Sequence, residues 1–272
     1  PDPIAFATNG TRRMTIRLVA TTLAQLVKAS DVTAATLFVL DATKYLLQCS
    51  AIADRETYIV SMEGVETVLE TLERLPMISE RSVIVTKAMH QVLRGMPSPK
   101  KMLLIEENGV IKRRKVESID DVVCSTLERI VRLVVKMDNS FGEYVVHMIR
   151  TTESERDILP ICYAYAASAG VLLPSAEAAM FGGVVEALLS RIAYAREKNT
   201  RILLTGGLLV VVGSFDKLLC ANVAFLRVVT AKTVEFMRDE SICAQEMAVS
   251  TFRHLCETCG AVLVQTNALD SL

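Results

Sequence analysis

The chain has 272 residues and a formal net charge of −1, enough length for one extended or two compact domains, with no electrostatic pull toward nucleic acid. It is 51% hydrophobic, yet only 5% aromatic and without Trp; Leu, Val, Ala, Ile and Met suit stacked helices better than a β-sandwich. The longest nearly apolar run, residues 202–213, is far short of the ~20 residues of a membrane span.

The start, Pro1-Asp2-Pro3-Ile4, lacks both Met and the basic-then-apolar layout of a signal peptide. Together with the Ser271-Leu272 ending it reads as a cut in a longer chain. Apolar residues then recur at helical spacing nearly everywhere. Residues 11–28 and 33–48 make a first helix pair around Ala29-Ser30-Asp31. A helix over 56–75 stops before Pro76, and another over 80–94 is ended by Gly95, Pro97 and Pro99.

The pattern changes at Met102-Leu103-Leu104-Ile105 and Val110-Ile111, which flank Glu106-Glu107-Asn108-Gly109. Asn-Gly between β-compatible runs predicts a β-hairpin over 102–116. An ordered insertion in a tight helical array is usually functional. Helices resume over 119–137 and 141–150. The next opens at Asp157-Ile158-Leu159-Pro160, with Pro in its first turn, and ends near Gly170. Ser175 is read as the cap of 176–197 and Thr200 as the cap of 201–213. One helix then covers 218–237, and 242–259 closes the series with Gly260 at its end.

The spacing is regular. Comparable helices begin near Asp157, Arg201 and Ile242, at steps of 44 and 41, and the alternating set near Ala176 and Leu218, a step of 42. A helix-pair period of roughly 40–47 residues marks HEAT and armadillo arrays. The expected fold is an all-α HEAT-repeat α-solenoid, an armadillo-like superhelix, running as a single array over 1–272 with one inserted β-hairpin loop.

Seven cysteines, Cys49, Cys124, Cys162, Cys220, Cys243, Cys256 and Cys259, sit mostly in apolar helical patterns. They read as reduced thiols of a nuclear or cytosolic compartment. His254 through Cys259 resembles part of a zinc site, but four ligands are needed and no second CxxC or HxxxH lies nearby; no metal and no cofactor is expected. Gly206-Gly207 lacks the Gly-Lys-Ser/Thr of a phosphate loop and reads as a close helix–helix approach. His90, His147 and His254 are scattered, and no spacing argues for a triad, so no catalytic residue is expected. Lys112-Arg113-Arg114-Lys115 reads either as a solvated edge strand or as a contact for an acidic partner or import machinery.

The 218–237 segment carries two apolar stripes. Leu218, Phe225, Val229 and Phe236 share one face with Lys232 on its edge, while Leu219, Val223, Leu226 and Met237 share a neighbouring one. A surface helix needs one stripe. The second is either buried on a further side or open to a partner. Val185, Leu189 and Ile192 also share a face of the preceding outer helix, so the two helices can line one slot. Lys198, Arg201 and Lys232 put positive charge at its rim, which suits a short amphipathic, acidic-flanked peptide.

Residues 225–237, Phe-Leu-Arg-Val-Val-Thr-Ala-Lys-Thr-Val-Glu-Phe-Met, resemble the signature helix of the exportin-1 family of nuclear export receptors, in the importin-β superfamily. The likeness continues through Gln245-Glu246-Met247-Ala248, Thr251-Phe252 and Cys259. Upstream, Arg94-Gly95-Met96-Pro97 and residues 102–109 are similar to that family's hairpin loop, and 118–138 to the helix after it. Order and spacing hold from about Thr11 to Val264, as in the central part of a divergent member. The resemblance implies a groove for leucine-rich nuclear export signals within residues 176–259. It places that groove at Val185, Leu189, Ile192, Thr205, Leu209, Leu218, Phe225, Val229, Lys232 and Phe236, with Lys198 and Arg201 as basic rim. It implies a regulatory hairpin at Glu106, Glu107, Asn108, Gly109, Lys112 and Arg113, touching Ran or folding back behind the groove helices. The implied partners are cargo proteins with export signals, Ran-GTP (mainly through regions outside this chain) and nucleoporins, with shuttling between nucleus and cytoplasm and no direct contact with nucleic acid or membrane. Two departures follow. Ile192 stands where the family has its inhibitor-reactive cysteine, and Lys112–Lys115 makes basic a hairpin that is usually acidic-leaning. Two other readings stand beside this one: a HEAT scaffold without a transport role, and an enzyme using Cys256 and His254.

Overall fold

A computed structural model describes residues 9–28, 32–50, 55–74, 81–96, 102–115, 121–138 and 140–266. Among them are twelve helices and one hairpin: α1 (Asn9–Lys28), α2 (Val32–Ser50), α3 (Arg55–Arg74), α4 (Arg81–Gly95), β1 (Met102–Glu107), β2 (Val110–Lys115), α5 (Asp121–Met137), α6 (Phe141–Thr151), α7 (Glu155–Ala167), α8 (Pro174–Tyr194), α9 (Lys198–Ser214), α10 (Asp216–Ala221), α11 (Val223–Phe236) and α12 (Ile242–Gln265). The fold is all-α, of the HEAT-repeat solenoid class, as the 3.6-residue periodicity predicts. Ala29-Ser30-Asp31, Pro76, Pro97, Pro99 and both chain ends lie outside the described residues.

The chain forms two compact units, 1–95 with 120–139, and 96–119 with 140–272. In the first, α1, α3 and α5 pack side by side in one layer, with α2 against α4 in the other. The buried stripe of α3, including Val65, Val68, Leu69 and Leu72, is the apolar face that helical spacing dictates. Gly64 admits Leu46 of α2: a Cβ there would lie 2.6 Å from Leu46 Cδ2. Along α3, the largely buried Glu66 carboxylate accepts two hydrogen bonds from the Arg129 guanidinium of α5, while the exposed Glu73–Lys136 pair contributes little.

In the second unit α7, α9 and α12 form one layer, and α6 packs on α8 in the other. Helix α9 is buried continuously from Ile202 to Leu209 because it touches α7, α8, α11 and α12. The apolar run is therefore a buried helix, and no described helix is long and apolar enough to cross a membrane. Gly207 does mark a close helix–helix approach: its absent Cβ would lie 2.8 Å from Cys162 Sγ of α7. Burial pushes that thiol's pKa up to about 12, so it behaves as a small apolar group. We expect Gly207→Ala to be near neutral, because about 1 kcal/mol of helix propensity offsets a slight overpacking. Gly207→Val should destabilise by about 3 kcal/mol, read as a lowered midpoint in a thermal melt.

The hairpin turns through Asn108 (φ 53°) and Gly109 (φ 73°), both left-handed, which is the type I′ geometry that Asn-Gly favours. Glu107 pairs with Val110 across it. Element ends differ more from expectation. The 218–237 helix is broken at Asn222 (φ −126°, ψ 91°), whose Oδ1 accepts the Phe225 N–H at 3.2 Å. An Asn inside an apolar stripe is here an N-cap. Helix α7 starts after Ser154, which puts Pro160 inside it rather than in its first turn. Leu173 and Glu197, not Ser175 and Thr200, occupy the caps of α8 and α9. Helix α12 runs through Gly260 to Gln265, because the buried row Leu255, Cys259, Leu263 outweighs the ~1 kcal/mol cost of a glycine. The cysteines are not all reduced: Cys220 of α10 and Cys259 of α12 form a disulfide with Cα atoms 5.2 Å apart, inside the range such bonds require.

Candidate functional site

Helices α8 and α11 flank a gap that is open at one end and closed at the other, with α9 beneath it. On α11, Phe225, Val228, Val229, Lys232 and Phe236 fall at i, i+3, i+4, i+7 and i+11, one helical face. On α8, Phe181, Val185 and Leu189 repeat at every fourth residue. The low-numbered residues of one helix face the low-numbered residues of the other, so the two walls run in the same sense.

The gap has two parts. The wide end is a cleft of about 510 Å³ between Phe181, Gly182, Val185, Glu186, Leu189 and Ser190 of α8 and Phe225, Val228 and Val229 of α11. At the narrow end Val185 and Leu189 meet Lys232, Thr233 and Phe236 over a floor of Leu208, Leu209 and Val212, and only about 10 Å³ remains, no more than a single water needs. The wide end is shaped by rings. Phe225 packs on Phe181 (centroids 5.6 Å apart, edge-on), Phe181 on Phe215 (5.3 Å) and Phe215 on Tyr165 (4.9 Å, stacked). Phe225 also lies over Gly182, where a Cβ would meet its Cζ at 3.4 Å, an ordinary van der Waals contact.

Seven of the ten groove residues read from the sequence line this gap: Val185, Leu189, Leu209, Phe225, Val229, Lys232 and Phe236. Thr205 is wholly buried, and its hydroxyl has no hydrogen-bond partner. Ile192 lies beyond Leu189 on α8 and lines neither part, nor does Leu218, which the break at Asn222 removes from the face of α11. Phe181, Gly182, Glu186, Ser190, Leu208, Val212, Val228 and Thr233 also line it and are not among the ten. The signal for Val228 was present, three residues after Phe225 on the same stripe.

The rim charges are shared with acids. Lys232 Nζ lies 2.6 Å from Glu235 and Arg201 3.0 Å from Asp239. Lys198 lines a different hollow, of about 780 Å³, between the hairpin and the starts of α9 and α12. There Asn199 Nδ2 donates to the Gly109 carbonyl (2.9 Å), Arg113 reaches the Glu246 carbonyl (3.5 Å), and Lys112 pairs with Glu107 (3.2 Å). Ile111 is buried, so the hairpin is seated on the two helices. The Glu106 side chain lies outside the described residues.

Among the described residues no three His, Cys, Asp or Glu side chains gather to hold a metal, and Cys259 is committed to its disulfide. Burial, and Glu257 after it, push the Cys256 thiol pKa up, the opposite of nucleophile activation.

No family model matches the chain. It is 25% identical over 261 residues to exportin-1 of Schizosaccharomyces pombe, covering 81% of this chain and 24% of that protein. It is 22% identical over 242 residues to exportin-1 of Drosophila melanogaster (80% and 23%), and 23% identical over 195 residues to exportin 1B of Arabidopsis thaliana (67% and 18%). The chain is exportin-like at low identity and spans about a quarter of the length of the curated relatives it matches. Among solved structures, an engineered protein superposes with a TM-score of 0.37 at 12% identity over 94% of each chain.

Proposed function

We propose that the gap between α8 and α11 receives the leucine-rich nuclear export signal of cargo proteins, and that this chain is the cargo-gripping part of a longer transport receptor. The observation that carries the reading is the unclosed apolar slot. Val228 stands 54% exposed within it, although α9 and its neighbours close fully below. An apolar slot between helices is the shape an amphipathic helix fills with anchors at i, i+3, i+4 and i+7. The likeness to exportins adds the partners: Ran in its GTP form, binding cooperatively with cargo and mainly outside this chain, nucleoporins, and passage between nucleus and cytoplasm. The hairpin's seat on the start of α9, whose later turns floor the slot, supports a regulatory role for it. One observation favours the other reading, a HEAT scaffold without transport: the narrow end is shut.

Fluorescence anisotropy of a labelled leucine-rich export peptide tests the proposal, beside a Phe225→Ala, Phe236→Ala double variant. Saturable binding that the variant loses supports it; no binding by the folded chain removes it. A second expectation follows from Ile192. Leptomycin-type thiol-reactive inhibitors should leave no adduct on α8 by mass spectrometry and should not displace the peptide.

A further inference from the structure

We infer that Cys220 and Cys259 form a thiol–disulfide latch that sets the order of the wide end of the cleft, an inference that rests on the cleft reading above. Helix α10 is the short link between the floor helix α9 and the wall helix α11. A helix of six residues has little stability of its own. Its fastenings are therefore decisive. Leu218 and Leu219 are buried, the Asp216 carboxylate lies 3.7 Å from His254 Nε2 of α12, and the disulfide ties Cys220 to Cys259. Two residues after Cys220, Asn222 caps the Phe225 N–H, and the Phe225 ring walls the wide end against Phe181. The bond and the cleft are thus joined by five residues of chain.

The two sulfurs are unequal. Cys259 is 1% exposed, whereas Cys220 is only half-buried, so Cys220 Sγ is the sulfur an attacking thiol is expected to reach. Glutathione serves as the redox partner in both directions. To open the latch, a glutathione thiolate attacks Cys220 Sγ, the S–S bond breaks, and Cys259 leaves as thiolate and takes a proton. A second glutathione thiolate attacks the mixed disulfide, which releases Cys220 as thiolate, later protonated, and glutathione disulfide. Two electrons and two protons enter the protein, and two glutathiones are oxidised to one disulfide. Closing is the reverse. Disulfides are rare where glutathione is reduced, so one with an attackable sulfur beside a binding cleft reads as a switch.

With the latch closed, α10 and the first turn of α11 are held in place, and a peptide meets a preorganised wall. With it open, binding has to order that wall. The test equilibrates the protein across glutathione redox buffers, counts thiols by alkylation and mass spectrometry, and follows amide hydrogen exchange and peptide affinity in each state. Expected results are a bond that opens in excess reduced glutathione, exchange over residues 216–226 about tenfold faster once open, and peptide affinity lower by roughly five- to tenfold. The exposed-half variant Cys220→Ser should be fixed in the open behaviour and ignore the buffer. A bond that persists in reduced glutathione, exchange that does not change, or a peptide that binds equally in both states overturns the latch. If exchange changes as expected but no peptide binds in either state, the latch stands and the cleft reading falls.

Discussion

Val228→Asp is expected to raise the apparent Kd for an export-signal peptide by about a hundredfold or more while the fold is untouched. Val228 lines both parts of the gap and is more than half exposed, so the free protein loses little packing. Asp and Val have similar helix propensities, and such surface changes stay within about 0.5 kcal/mol. The bound state loses far more. An apolar anchor seated on Val228 forfeits part of a burial worth ~1.5–3 kcal/mol, and the new carboxylate must be desolvated against apolar walls without a partner. Val228→Ala, which removes only the first of these, should weaken binding about tenfold or less. Peptide titration and a thermal melt on the same samples give the check. Unchanged affinity in Val228→Asp would mean that no occupant lies in the wide end.

The helical array and the hairpin were legible because each rests on a repeated signal: apolar residues every three or four positions, and Asn-Gly between two β-compatible runs. The ends were not, because a cap is a single residue competing with that repeat. Asn222 sits in a stripe that reads unbroken from Leu218 to Phe236, and only the chain's turn at α10 turns it into a cap. Once the helix is split, Leu218 loses its place in the cleft. Phe225, Val229, Lys232 and Phe236 of α11 stayed legible, since their stripe lies wholly beyond the break. Thr205 came from the family likeness and is buried out of reach. That the narrow end is shut depends on how Leu208, Leu209, Val212 and Phe236 fill one volume, which spacing along a chain does not encode. The disulfide was hidden for the same reason: its cysteines are 39 residues apart and meet only through the packing of α10 on α12.

Phe181→Ala should cost the second unit about 4 kcal/mol, and with it the wide end of the cleft. The ring is fully buried between Phe215 and Phe225, so truncation removes the burial of a whole aromatic and leaves a cavity that two rigid neighbours refill poorly. For a unit of this size the melting midpoint should fall by roughly 10 °C. Phe225→Ala should cost stability much less, since that ring is only half-buried, yet it should weaken peptide binding at least as much. A double-mutant cycle separates the two roles: the direct ring–ring contact predicts a coupling of about 0.5–1.5 kcal/mol in stability. Phe181→Leu refills most of the volume and should recover most of the midpoint. If it also recovers binding, then Phe181 acts as the support that keeps Phe225 from falling inward. If midpoint returns without binding, the edge-on ring contact itself sets the wall, because an aliphatic side chain can fill the space without fixing the angle of the ring above it.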